Sequence, residues 1–303
     1  MIQNRSAVNI ITRAFFIEFM LIFDKIKCIM IIDTHAHLNF AAYKNDLGEV
    51  VKRTLAEDVW MINVGSKYET SKKAVEIAEK YEEGIFASIG LHPIYSATEF
   101  AKRMKTDSEE GSFAIREEIF NKDKYKELAK SEKVVAVGEI GLDYYYRPKS
   151  KTKLGFFKEK QKQVFINQLD LAKELNLPVI FHCRMAHDDL IEVLKSRPGI
   201  KGVIHCFTGN WEQAEKYLEM GFSLGINGII FKLDLDEIVK KIPLEKILVE
   251  TDCPYLTPPK AGRERNEPLF VKYVIEKIAE IRNEDYQEIA EATTLNAKNL
   301  FKI

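Results

Sequence analysis

The stretch "MIIDTHAHLNF" (30–40) runs apolar residues straight into Asp-Thr-His-Ala-His. An apolar run that ends in ligand-type side chains is what a buried strand leading into an active site looks like. The same pattern recurs along the chain. Short runs rich in Ile and Val end in polar or Gly residues at 29–33 ("IMIID"), 60–66 ("WMINVGS"), 85–93 ("IFASIGLHP") and 134–143 ("VVAVGEIGLD"). Four more follow at 178–184 ("PVIFHCR"), 202–209 ("GVIHCFTG"), 222–230 ("FSLGINGII") and 247–256 ("ILVETDCPYL"). The segments between them have helical spacing, as in Phe165, Leu169 and Ala172, or Phe270, Val274, Ile278 and Ile281. Eight strand-then-helix units predict an α/β fold, a (β/α)8 TIM barrel. An open doubly wound sheet is the alternative. No G-x-G-x-x-G or GxxxxGK[ST] follows an early strand to support it.

The length of 303 residues suits one barrel, and 46% hydrophobic with 30% charged residues describes a globular chain with ample core. Net charge is −1, from 45 Lys+Arg and 46 Asp+Glu, so there is no overall basic excess of the kind that marks a dedicated nucleic-acid binder. The four cysteines, Cys28, Cys183, Cys206 and Cys253, form no C-x-x-C, which fits a reducing cytoplasm. Residues 1–29 include the apolar run "AFFIEFMLIF" (14–23), which contains Glu18 and is too short to span a bilayer. The expectation is a dispensable N-terminal extension at 1–29, a catalytic barrel at 30–303, no membrane association and no stable protein partner. The charged stretch 96–124 breaks the strand–helix rhythm. It reads either as a lid or partly helical insertion beside the barrel mouth, or as a solvated surface excursion.

Residues i and i+2 of a strand point to one side, so His35 and His37 project together with Asp33 behind them. Other runs end alike: His92 on the third, Glu139 on the fourth, His182 on the fifth, His205 on the sixth and Asp252 on the eighth. These are C-terminal strand ends, where barrel active sites are built. His35, His37, Glu139, His182, His205 and Asp252 make six potential metal ligands. A tetrahedral site uses about four, so six fit two divalent ions; one ion with supporting residues is the alternative. The remaining histidine, His187, begins the helix after the fifth run and reads as structural. Cys183, Cys206 and Cys253 each neighbour a ligand by one position and are expected to point away from it as buried thiols.

Together, "IDTHAHLN", "GEIGLDYY", "VIFHCRMAHDD", "HCFTGN" and "ETDCPYLTP" followed by "RNEP" closely resemble the TatD family of metal-dependent hydrolases, over about 30–303. Many relatives in the wider amidohydrolase-like superfamily bridge their metals with a carboxylated lysine on the fourth strand. Here Glu139 holds that place, and Lys133 lies at the other end of the run, as in TatD-like proteins. The resemblance implies that His35 and His37 hold the first metal, Glu139 bridges, His182 and His205 hold the second, and Asp252 holds the first and takes the proton from the nucleophilic water. It implies a deoxyribonuclease, with DNA and other phosphodiesters as substrate and two divalent ions, Mg, Mn or Zn, as cofactors. Glu139 and Asp252 are thus the expected catalytic residues.

Substrate contacts are read from the neighbours of these ligands. Arg184 lies two residues beyond His182 and can present a planar fork to phosphate. "DYYYR" (143–147) offers aromatic faces and an arginine for stacking bases of a single strand, with Tyr144 the expected contact. "GRERNEP" (262–268) adds Arg263 and Arg265 where barrels often bind phosphate. His92 is expected to touch substrate. The same site can serve an ester or amide hydrolase, for example on a D-aminoacyl-tRNA or a small cyclic amide, because carbonyl attack needs the same activated water. A non-catalytic metal or nucleic-acid binder is the third reading, and the full ligand set argues against it.

Overall fold

The computed structural model describes residues 29–100, 108–111, 116–262 and 264–303. The expectation for 1–29 therefore falls, apart from Ile29, outside the described residues, as do Cys28 and Arg263. Among the described residues, eight strands form one parallel sheet in sequential order: β1 Ile31–Ala36, β2 Val59–Val64, β3 Ile85–Ile89, β4 Val134–Asp143, β5 Val179–Arg184, β6 Gly202–Ile204, β7 Ser223–Ile226 and β8 Ile247–Val249. The order and parallel pairing are those of a (β/α)8 barrel, as the sequence pattern predicts. Closure comes just beyond β8. Asp252 N donates to His35 O at 2.8 Å and His37 N donates to Cys253 O at 2.9 Å, so the first and last strands meet at two ligand-type residues.

Helices cover the sheet: α1 Leu47–Leu55, α2 Tyr68–Ala78, α3 Lys122–Leu128, α4 Lys151–Leu175, α5 His187–Lys195, α6 Trp211–Glu219, α7 Asp236–Lys241, α8 Val271–Arg282 and α9 Tyr286–Phe301. None of the described helices is long and apolar enough to cross a membrane. Strands β1 and β4 are buried along their whole length, which is why their sequences show no polar alternation. The helices bury one stripe each. In α4 this stripe is Phe157, Gln161, Phe165, Gln168, Leu169 and Ala172. Its two glutamines are deliberate exceptions to the apolar rule. Gln161 accepts from Asp143 N and donates to Asp143 O, both at 3.0 Å. Gln168 accepts from Leu91 N at 2.7 Å and donates to Leu91 O at 3.0 Å. Each amide replaces the sheet partners that a strand end lacks, and so fixes the backbone at the ends of β3 and β4.

Several strands are shorter than their apolar runs. His92, His205 and Asp252 lie past the ends of β3, β6 and β8, on the loops of the C-terminal face. The polar and Gly residues that close each run end the ladder earlier than apolarity alone indicates. Strand β4 keeps its full length and packs tightly on β5. A Cβ on Gly138 would lie 2.6 Å from Ile180 Cβ, and one on Gly141, at φ +149°, would lie 2.0 Å from His182 O. Only glycine fits there, so the two glycines of "GEIG" let Glu139 sit against the His182 strand. Of the 96–124 stretch, 122–124 open α3, while Glu109 O accepts from Ala42 N at 3.0 Å and Glu118 N donates to Tyr95 O at 2.9 Å. These bonds tie the described residues Glu109 and Glu118 to Ala42 and Tyr95, on the loops that follow β1 and β3.

Candidate metal centre and catalytic cleft

Glu139 is the hub of the C-terminal face. His182 Nδ1 lies 2.6 Å from its Oε1, His92 Nε2 and His205 Nε2 each lie 3.6 Å from the same oxygen, and His35 Nε2 lies 3.6 Å from Oε2. Asp252 is a second focus, with its Oδ1 at 3.4 Å from His37 Nε2, 3.9 Å from His35 Nε2 and 4.0 Å from His205 Nε2. Three sets of donors, His35–His37–Glu139, His35–His205–Asp252 and His92–Glu139–His182, each have ligand atoms within 4.8 Å of one another. All six residues expected as ligands are brought together here, and His92 joins them.

The local chemistry fits a cation. His37 Nδ1 donates to Val64 O at 2.8 Å, which leaves a lone pair on Nε2. That lone pair faces His35 Nε2 at 3.1 Å, while His35 Nδ1 is buried with no partner. Two imidazole nitrogens turned toward each other in a buried place suit a shared positive charge better than each other. His205 Nδ1 lies 2.8 Å from Glu250 Oε1, which directs Nε2 to the centre. Glu250 is buried and held in turn by Cys206 N at 2.7 Å and Asn227 Nδ2 at 3.1 Å. His182 Nε2 lies 3.2 Å from Asp143 Oδ2. Asp143, Glu250 and Asp33 are orienting carboxylates that the sequence reading left unassigned. Their signal was available: each is an acid inside or directly after an apolar run.

Electrostatics keeps Glu139 and Asp252 ionised. Burial pushes Glu139 toward its neutral form, but His92, His182 and His205 outweigh it and hold its pKa well below the usual value. Asp252 is likewise buried, and the surrounding imidazoles, His37 first and then His205 and His35, lower its pKa. Burial opposes the charged form of His182, yet Glu139 and Asp143 raise it to about 9. His92 behaves differently. Burial, reinforced by His182, lowers it to about 4, so it is neutral near pH 7. Its Nδ1 accepts from Ile94 N at 3.1 Å, which puts the single proton on Nε2, the atom facing Glu139. His92 is thereby arranged as a hydrogen-bond donor rather than as a lone-pair ligand.

A cavity of about 480 Å³ opens above these residues, lined among others by Phe40, Glu110, Tyr146, Arg184 and Tyr255. Arg184 is exposed at its mouth, its guanidinium 3.7 Å from the ring centre of Tyr145. Tyr145 is 52% exposed and meets Tyr146 edge-on at 5.0 Å. Tyr144 does not belong to this surface. It is 3% exposed and packs on Phe157, with Lys158 over its ring at 4.6 Å. Past the end of β4 the backbone turns, so the aromatic faces at the mouth are those of Tyr145 and Tyr146. Arg265 is also displaced from its expected role. It does not line the cavity. It makes a bidentate pair with Asp46 at 2.9 and 2.6 Å, donates to Ala42 O at 2.6 Å and stacks on Tyr43 at 4.5 Å. Two acids within reach, Asp46 and Glu267, claim the guanidinium for the fold. Cys253 is fully buried as expected, but Cys206 is partly exposed and lines the cavity, as does Cys183. β6 ends at Ile204 and Cys206 has φ +46°, so strand alternation no longer governs where its thiol points.

The chain matches the family model described as TatD related DNase over residues 32–302. It is 42% identical to an uncharacterized metal-dependent hydrolase, YabD, of Bacillus subtilis, across 90% of this chain and all of that protein. It is 34% identical to the 3′-5′ ssDNA/RNA exonuclease TatD of Escherichia fergusonii, across 89% of this chain and 98% of the relative. Among solved structures, a TatD homologue of Escherichia coli, YJJV, superimposes with a TM-score of 0.74 at 29% identity, covering 91% of this chain and 99% of that one. With matches that span both partners almost end to end, and with the cleft just described, the chain is a hydrolase that belongs to the TatD related DNase family.

Proposed function

We propose that this protein is a divalent-metal-dependent nuclease that hydrolyses phosphodiester bonds of DNA from a 3′ end. In this reading two ions, of magnesium, manganese or zinc, are held by His35, His37, Glu139, His182, His205 and Asp252. The observation that carries it is the position of Glu139, whose two carboxylate oxygens face His35 on one side and His92, His182 and His205 on the other. A carboxylate so placed is suited to bridging two ions. Such a pair supplies a water acidic enough to lose its proton near neutrality and a neutralised phosphate.

The chain's own residues then have distinct work. Asp252, ionised and at the cavity wall, takes the proton from the attacking water. His92 offers its Nε2 proton on the same face and can donate to a phosphate oxygen as charge develops there. Arg184 holds a neighbouring phosphate with its planar fork, and Tyr145 with Tyr146 stacks bases of a single strand. The name of the Escherichia fergusonii relative, an exonuclease of single-stranded DNA and RNA, agrees with this division. The unit that acts is 30–303, in the cytoplasm, with 1–29 dispensable; a chain starting at Met30 that is insoluble or inactive would contradict that last point.

The test is direct competition between substrate classes. Purified protein with Mn²⁺ is offered an end-labelled single-stranded oligonucleotide, a carboxylic ester and a cyclic amide. Shortening of the oligonucleotide from its 3′ end, with the carbonyl substrates untouched, is expected. Hydrolysis of an ester or amide without cleavage of DNA would transfer the same site to carbonyl chemistry.

A further inference from the structure

The cavity lining carries charges of both signs. Arg184 ends β5, whereas Ser66 follows β2, Tyr95 follows β3 and Glu110 joins them in the cavity lining. Glu110 comes from the charged stretch after β3, not from a barrel strand. Its side chain is 5% exposed. Ser66 Oγ donates to Oε1 at 2.5 Å and the Tyr95 hydroxyl donates to Oε2. Lys67 Nζ lies 3.4 Å from Oε1 and, unlike Glu110, does not line the cavity. The group is tied to the reaction centre through the backbone, because His92 N donates to Ser66 O at 2.8 Å. Burial favours a neutral Glu110, but the Ser66 and Tyr95 hydrogen bonds and the charge of Lys67 lower its pKa, so the carboxylate in the cavity lining is ionised near neutrality.

A nucleic-acid strand crossing a two-metal site carries a phosphate on every nucleotide. One running through the cavity in both directions would press a phosphate against Glu110. A strand that stops there meets no such penalty, and a carboxylate accepts a hydrogen bond from a sugar hydroxyl readily. The cavity volume of about 480 Å³ is of small-ligand size, within the ~300–1,000 Å³ usual for such sites. We infer that Glu110, with Ser66 and Tyr95, forms the subsite for the terminal nucleotide, accepting a strand that ends in a sugar hydroxyl and rejecting one that ends in a phosphate. This rests on the nuclease reading above and adds to it the reason for attack from an end rather than within the strand.

The experiment compares initial rates on one single-stranded sequence carrying a hydroxyl or a phosphate at the attacked end, for the wild type, Glu110→Gln and Glu110→Ala, with melting temperatures for all three. For the wild type the hydroxyl end is expected to be cleaved at least about ten-fold faster, a ratio worth ~1.4 kcal/mol. In both variants the ratio should fall toward one, chiefly because the phosphate-ended strand is now accepted. A wild-type ratio near one overturns the subsite whether or not the variants fold. So does a high ratio that persists in folded Glu110→Gln and Glu110→Ala. Absence of cleavage of either strand would instead remove the nuclease reading on which the subsite depends.

Discussion

Asp33 on β1 and Thr251 just past β8 are joined twice: Asp33 Oδ1 accepts the Thr251 backbone N–H at 2.9 Å and Oδ2 accepts the Thr251 hydroxyl at 2.6 Å. Oδ1 also accepts from His35 N at 3.1 Å. The clamp that closes the barrel thus sets the backbone of His35 and Asp252 at the same time. Asp33→Ala leaves buried donors unpaired and is expected to cost about 2–4 kcal/mol, measured as a shift in denaturant midpoint. An unchanged midpoint would mean the first and last strands are held by packing alone.

The neighbouring tyrosines Tyr144 and Tyr145 separate packing from binding. Tyr145→Ala should weaken single-strand binding by ~1–3 kcal/mol, the value of one stacked base, with little change in melting temperature. Tyr144→Ala should do the reverse, because its ring is part of the core. Arg184→Ala should raise KM about ten-fold with kcat nearly unchanged, and Arg184→Lys should restore only part of it, since an ammonium lacks the planar face stacked on Tyr145.

Arg53 of α1 and Arg265 of the last loop act on stability. Glu267 is 1% exposed and pairs bidentately with Arg53, Nε and NH2 each at 2.7 Å. Arg53→Ala removes both of those hydrogen bonds from a buried carboxylate and should cost about 2–4 kcal/mol. Arg265→Ala should likewise lower the melting temperature while leaving KM for DNA unchanged. A raised KM with normal stability would return Arg265 to the substrate.

His187 gives the fold a pH dependence. Its Nδ1 lies 3.1 Å from the Tyr217 hydroxyl, its Nε2 has no partner, and burial lowers its pKa from 6.5 to about 4. The unfolded chain therefore takes up the proton first as pH falls. The contribution of His187 is complete above about pH 6.5 and is lost progressively down to pH 4, by up to ~3 kcal/mol. Wild type minus His187→Phe, compared by denaturation across that window, should show this slope, and a pH-independent difference would contradict it.

Much of this was legible in the sequence because period two and strand-end position are local properties. H-x-H at the end of β1, Glu139 between two close-packing glycines and His182 on β5 needed no tertiary information. The reading weakened where strands stop. Cys206 was assigned by alternation that no longer holds past β6, and Tyr144 by its place in "DYYYR", which does not report the turn of the backbone past β4. Arg265 was misread because its partner Asp46 lies far away along the chain, and no local pattern reports a long-range ion pair. Gln161 and Gln168 carried a usable signal, two amides on the apolar stripe of a helix, although their backbone partners at Asp143 and Leu91 emerge only in three dimensions.

The central claim is that Glu139 organises metal-dependent cleavage of DNA. The measurement that tests it most directly is the initial rate of cleavage of an end-labelled single strand by EDTA-stripped protein as Mn²⁺ or Mg²⁺ is added back, for wild type and Glu139→Ala side by side. The wild type should be silent in EDTA and recover with metal, while the variant, folded by its melting curve, should stay slower by about 10²–10³-fold at every metal concentration. Cleavage that survives EDTA, or a folded Glu139→Ala that matches the wild type, would contradict the account.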